Sequence, residues 1–304
     1  MEQNPLLEVG LPISLAIIMA GMGLTLTLRD FRNVLVYPRA MLVGSMAQMF
    51  ILPLLAFGLA IVLRLPPLLA VGLVVIAACP GGAMSNVLTF LARGNVALSI
   101  IVTVIASFVT ILSLPLFTNL ALNLFTTRDL DAPMSLPFLQ SVTTLFMVVL
   151  LPVMLGMIVR ARRPGLAVKA ERLVSLFGVL VLALLVLLII WETRGEVTTL
   201  ATTAGPAAIA LNITGIALGF ATALVPGISH RDAMTLAIEL GIKNGTIGLM
   251  MTLTLIGSYT MAIPSAVYGV MMFALGAVLV AWGRRQRFDK AGNLIPRAQR
   301  RPGV

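Results

Sequence analysis

The chain has one cysteine and one histidine in 304 residues, and only 11% of its residues are charged. A single thiol, Cys79, closes no internal disulfide, so no covalent staple is available to the fold. Soluble domains carry roughly a quarter charged residues, and so low a share excludes an ordinary cytosolic protein. Acids are scarcer still: 11 Asp and Glu face 21 Lys and Arg, for a net charge of +10. Without clustered cysteines or histidines, a metal centre has no support, and the 17 methionines read as gap fillers between helices. The apolar stretches contain no histidine and one acid, so an intramembrane enzyme has only Glu239 with Lys243 to imitate an acid/base pair, and nothing resembles a protease or lipid-hydrolase motif.

Apolar residues are what the chain has, at 59%. Stretches near the roughly 20 residues that cross a bilayer as helix recur from Leu11 to Trp282. Taking Gly, Pro and charge clusters as punctuation gives nine spans: 11–28, 40–63, 67–92, 96–118, 138–159, 173–191, 206–225, 233–256 and 263–283. The expected class is an all-α polytopic membrane protein. Glu2 and Glu8 stand where a cleavable leader carries basic residues, so the first span reads as retained. Trp191 and Trp282, at span ends, read as interfacial anchors, and His230 as a solvated loop residue.

Seventeen of the 21 cations fall on one set of alternate loops, among them Arg29, Arg39, Arg93, Arg160, Arg162, Arg163, Arg231 and the run from Arg284 to Arg301. The positive-inside rule then puts the C-terminus in the cytoplasm and the N-terminus outside. The same pattern accounts for the positive charge without nucleic acid. The basic tail, 284–304, is expected to lie on anionic headgroups or to lack structure.

Two spans are irregular. In the third, Cys79-Pro80-Gly81-Gly82 should break the helix at membrane depth, which is tolerated only inside protein or against a wet cavity. In the eighth, Glu239, Gly241, Lys243, Asn244 and Gly245 interrupt an apolar run, and intramembrane charges require partners, ligands or water. Each irregular span is the middle of a three-span unit, 40–118 and 206–283, and the two units run in opposite directions. Paired interruptions in inverted halves point to a transporter binding site.

At these residues the chain resembles the bile acid:sodium symporter family, which includes the apical and hepatic bile acid transporters. ACPGGAMSNVLTFLARGNVALS (78–99), AIELGIKNGTIGL (237–249) and GMGLTLTLRDF (21–31) are similar to its motifs. The resemblance implies an inverted-repeat transporter with two broken crossing helices. It implies a panel domain of 1–30 and 138–200 and a core domain of 36–120 and 204–283. Nine spans, against ten in many bacterial relatives, imply a start at the second, as in the nine-helix animal members, here in a bacterial cytoplasmic membrane.

Carried over, a first sodium site uses Ser85, Asn86, Ser99, Thr103 and Glu239, whose hard oxygens suit the ion. A second uses Gln48, Glu239, the backbone at Leu240 and Ile242, and a glutamine where this chain has Lys243. Lysine offers only donors and a positive charge. The expectation is that its ammonium replaces the second sodium, pairing with Glu239 and bonding Gln48 or nearby carbonyls, so that sodium dependence is reduced or absent. Proton coupling, uniport, ordinary sodium symport, and a channel or sensor stay open. The broken-helix N-termini suit a small organic anion, with contacts from Gly82, Ala83, Met84, Asn86 and Asn244. Bile acids, pantoate-like acids and keto acids all fit, and no cofactor beyond a coupling Na+ or H+ is implied.

Overall fold

The computed structural model describes residues 9–27, 37–126, 135–289 and 291–295. Described residues form eleven helices: α1 (Leu11–Thr25), α2 (Pro38–Val62), α3 (Pro67–Ala78), α4 (Ala83–Leu91), α5 (Val96–Thr126), α6 (Phe138–Arg162), α7 (Pro164–Glu192), α8 (Val197–Ala221), α9 (His230–Gly241), α10 (Gly245–Ile256) and α11 (Tyr259–Arg284). Because α3 with α4 and α9 with α10 are halves of single crossings, these make nine spans. Five helices are individually long and apolar enough to cross a membrane. The exterior agrees: Leu173, Leu180, Leu184 and Leu187 of α7 are all exposed, a face that only lipid or another apolar surface can cover.

Proline is less of a stop here than the sequence suggests. α5 runs eight residues past the expected end at 118 with Pro115 inside it, and α8 starts at Val197 with Pro206 inside it. The carbonyl that Pro115 leaves without its helical donor is that of Ile111, while the Thr118 hydroxyl makes an ordinary i to i−4 bond to the Leu114 carbonyl at 2.7 Å. In α2 and α6 the wider π turns Ala47–Ile51 and Phe146–Leu150 stand immediately before Leu52-Pro53 and Leu151-Pro152, where proline removes the ordinary i to i−4 bond. α7 begins at Pro164 rather than 173, because its first turns carry the charges that read as loop.

α1 packs against α6 and α7, whereas α3 packs against α5 and α11, and α8 against α9 and α11. Small residues set the closest approaches: a Cβ on Gly156 would meet Ala20 and Gly23 of α1. At the start of α9, Ser229 caps the helix by accepting from the Asp232 N–H at 3.1 Å. Asp232 accepts from the Asn95 amide at 2.7 Å, and Arg231 donates to the Gly94 carbonyl at 3.0 Å, tying α9 to the turn between α4 and α5. Asp232→Ala leaves the buried Asn95 amide without its charged partner. An apparent loss of about 1–3 kcal/mol is expected, read as a lower unfolding midpoint in detergent.

The C-terminal segment departs from expectation. Phe288 and Leu294 form an antiparallel bridge, and the Gly292 carbonyl accepts from the Arg231 N–H at 3.0 Å, so the start of the tail folds onto α9. His230 is the first residue of α9 rather than a loop residue. The remainder of the tail, with Arg297, Arg300 and Arg301, lies outside the described residues, as do Arg29, Arg32, Arg128 and the end of the GMGLTLTLRDF motif.

Candidate functional site

The site is made where the two interruptions meet. Proline disfavours helix in the residue before it, and Cys79 is extended at φ −67°, ψ 149°, ending α3. Gly82, also extended, starts α4. In the other half Ile242 leaves helix at φ −105°, ψ 95°, and the Asn244 side chain starts α10 by accepting from the Ile247 N–H at 3.2 Å. The freed backbones then satisfy each other: the Gly82 N–H donates to the Ile242 carbonyl at 3.1 Å and the Asn244 N–H to the Pro80 carbonyl at 2.9 Å. Gly81 and Lys243 form an antiparallel bridge, a two-residue scrap of sheet inside a helical membrane protein. Buried polar backbone must be paired somewhere, and here each break supplies the other's partners.

Beside the bridge lies an oxygen cluster. Glu239, fully buried, receives the Ser85 hydroxyl at 2.6 Å and the Ser99 hydroxyl at 2.9 Å on Oε2, and the Thr103 hydroxyl on Oε1. The same Ser85 oxygen is 2.8 Å from the Gly82 carbonyl, and Ser99 is 2.8 Å from Asn86 Oδ1. Each hydroxyl has one hydrogen, so acceptors outnumber donors. All five residues expected at the first ion site are together, drawn from α4, α5 and α9. Three hydroxyls on a carboxylate with acceptors to spare suit a hard cation.

Lys243 does not do what its spacing suggests. Its side chain is 1% exposed, and Nζ donates to a nearby carbonyl, that of Cys79 across the crossing at 3.1 Å, as one arm of the expectation had it, while neither a hydrogen bond to Glu239 nor one to Gln48 is formed. The physical reason is the break: with Ile242 extended, residues 239 and 243 no longer share a helix face. Gln48, in the π turn of α2, is buried with both Nε2 and Oε1 unpartnered. Of the two backbone positions expected beside it, the Ile242 carbonyl serves the Gly82 N–H. The Gly241 carbonyl at the end of α9 accepts from the Asn212 amide at 3.1 Å and the Tyr268 hydroxyl at 2.9 Å, two residues the sequence reading missed although both are polar groups in apolar spans.

Gly82, Ala83, Met84, Asn86 and Asn244, the expected substrate contacts, all line a cavity of about 380 Å³. Its opposite wall comes from α1 and α7, through Ile18, Met22, Val174 and Val179. Cys79 stays out of it, buried and donating to the Val75 carbonyl. Among the described residues no three His, Cys, Asp or Glu side chains converge.

Broken helices paired across a membrane-embedded bundle, at the floor of a cavity, define a helical membrane transporter rather than an enzyme. The model of the Sodium Bile acid symporter family matches residues 12–200, and the chain belongs to that family. It is 33% identical over 285 residues to the "Uncharacterized sodium-dependent transporter YocS" of Bacillus subtilis (strain 168), covering 92% of this chain and 85% of that one. It is 32% identical over 273 residues to the "Probable sodium/metabolite cotransporter BASS1, chloroplastic" of Arabidopsis thaliana, covering 90% of this chain and 66% of that one. The human "Ileal sodium/bile acid cotransporter" shares 26% over 240 residues, covering 78% of this chain and 67% of that one.

Proposed function

We propose that the protein moves small organic anions across the membrane by alternating access, coupled to one sodium ion instead of two. The observation that carries this reading is the backbone bridge between Gly81 and Lys243, flanked by the Glu239 oxygen cluster and opening on the cavity. Ser85, Asn86, Ser99, Thr103 and Glu239 hold the sodium. Lys243, its Nζ on the Cys79 carbonyl, sits between the two breaks and leaves no room for a second monovalent cation against Glu239, since like charges repel in a dry site. Sodium dependence is therefore reduced. The N–H groups opening α4 and α10, with Asn86 and Asn244, take the anion's acidic group. The names of the relatives support bile acids or smaller metabolites as cargo.

In this reading α1, α6 and α7 are the panel and the remaining helices the core, and the cavity lies between them. With the N-terminus outside and the C-terminus cytoplasmic in a bacterial inner membrane, the cavity faces inward. Its lining reaches Thr25, Phe90 and Arg160, at the end that the cation-rich loops continue. The test is counterflow in proteoliposomes preloaded with pantoate, pyruvate or taurocholate. Saturable exchange of at least one labelled anion, enhanced by sodium on the same side, is expected. Non-saturating conductive leakage, or exchange of none, overturns transport by alternating access.

A further inference from the structure

Arg160 sits in the last turn of α6, one turn past Gly156, and lines the cavity that the broken helices floor. Its Nη1 is buried and has no hydrogen-bond partner. A buried guanidinium N–H left unpaired is costly, and arginine's planar fork is suited to a carboxylate, sulfonate or phosphate. Among the described residues lining this cavity are two cations, Arg160 and Lys243, and no carboxylate. Arg160 Nη1 therefore has a hydrogen bond to offer a ligand in the cavity.

Lys243 is at the break, whereas Arg160 is one turn past Gly156, which abuts Gly23 of α1. On α7, Leu182 is where a Cβ on Gly245, at the break, would touch it, while Val174 is where a Cβ on Gly21 of α1 would collide with it. Those eight residues of helix measure about 12 Å. Between the ends the wall is apolar, with Met22, Val87, Val179 and Phe273.

We infer that Arg160 is a second anion-recognising residue, and that the preferred cargo is a two-headed anion: one acidic group at the broken-helix N-termini, an apolar body, and a second acidic group on the Arg160 guanidinium. This rests on the proposed anion site at the break and adds to it the partner at the far end. It gives Arg160 a specificity role, because a ligand with one acidic group leaves Nη1 unpaired.

The test uses purified protein in a neutral detergent, with binding followed by thermal stabilisation and calorimetry. The probes are the straight dicarboxylates from adipate to dodecanedioate, each against the monocarboxylate of equal length. Wild type is expected to bind a dicarboxylate of intermediate length about ten- to hundredfold more tightly than its monocarboxylate partner, the range of one charge-assisted pair. Arg160→Gln is expected to erase that preference while leaving monocarboxylate affinity in place, and Arg160→Lys, which keeps charge but loses the fork, to restore part of it. An equal preference in Arg160→Gln, or none in wild type, overturns the inference while monocarboxylate binding leaves the site at the break standing. If neither class binds, the anion site at the break fails as well, and the inference falls with it.

Discussion

Lys243→Gln is expected to give the protein a second sodium response that the wild type does not have. Unfolding midpoints of the two proteins are compared across a sodium titration, with potassium holding ionic strength constant. A ligand that binds only the folded state stabilises by an amount that grows with its concentration over Kd, about 2.7 kcal/mol per ion at a hundredfold excess. Wild type should gain one such increment, from the cluster around Glu239, where acceptors outnumber hydroxyl hydrogens. In the variant, the bond from Nζ to the Cys79 carbonyl disappears and an amide oxygen replaces a positive charge. Gln48, buried with both amide atoms unpartnered, then has a cation to serve. The variant should therefore show a larger and steeper sodium dependence, and Glu239→Gln should abolish the response in both backgrounds. Superimposable curves for wild type and Lys243→Gln would remove lysine from the place of the second ion. A wild type that does not respond to sodium at all would instead mean that the oxygen cluster holds no ion, and sodium coupling would have to be dropped.

The sequence made the crossing legible because its chemistry is local. Pro80 with two glycines must break a helix wherever it sits, and Glu239 and Lys243 in an apolar run must be explained wherever they sit. The i, i+4 hydroxyls Ser99 and Thr103 shared a face whatever the tertiary arrangement, and both reach Glu239. The destinations of long side chains were not legible in the same way. Helical spacing pointed Lys243 at Glu239, but the extended residue between them turned it onto the opposite break. Arg160 looked like one more loop cation, since it follows the expected span end at 159 beside Arg162 and Arg163; only the packing of α6 on α1 makes it part of a cavity wall. Helix ends were misjudged wherever proline or charge stood in for a stop, because these helices run on through Pro115 and Pro206 and carry charge in their first turns.

Of the paired glycines, Gly81 should be the intolerant one. A Cβ at 81 would fall on the Glu239 carboxylate, against Oε1, and would also lie 3.4 Å from the Thr103 hydroxyl. Neither can retreat easily, since Glu239 is fully buried and held by hydroxyls from two other helices. Gly81→Ala must push the carboxylate away from those partners or pull the backbone bridge apart. Disrupting a buried charged network in this way costs about 3–5 kcal/mol. A Cβ at Gly82, by contrast, would approach the Lys243 carbonyl at 3.1 Å, a gap that a few tenths of an ångström relieves. The pair of variants thus separates damage to the Glu239 cluster from damage to the break in general. Gly81→Ala is expected to lower the unfolding midpoint sharply and to lose both sodium stabilisation and counterflow, while Gly82→Ala keeps a sodium response and shows a modest loss of exchange. Should Gly81→Ala bind sodium as wild type does, the ion cannot be sitting among Ser85, Ser99, Thr103 and Glu239, because that residue set does not survive a methyl group at position 81.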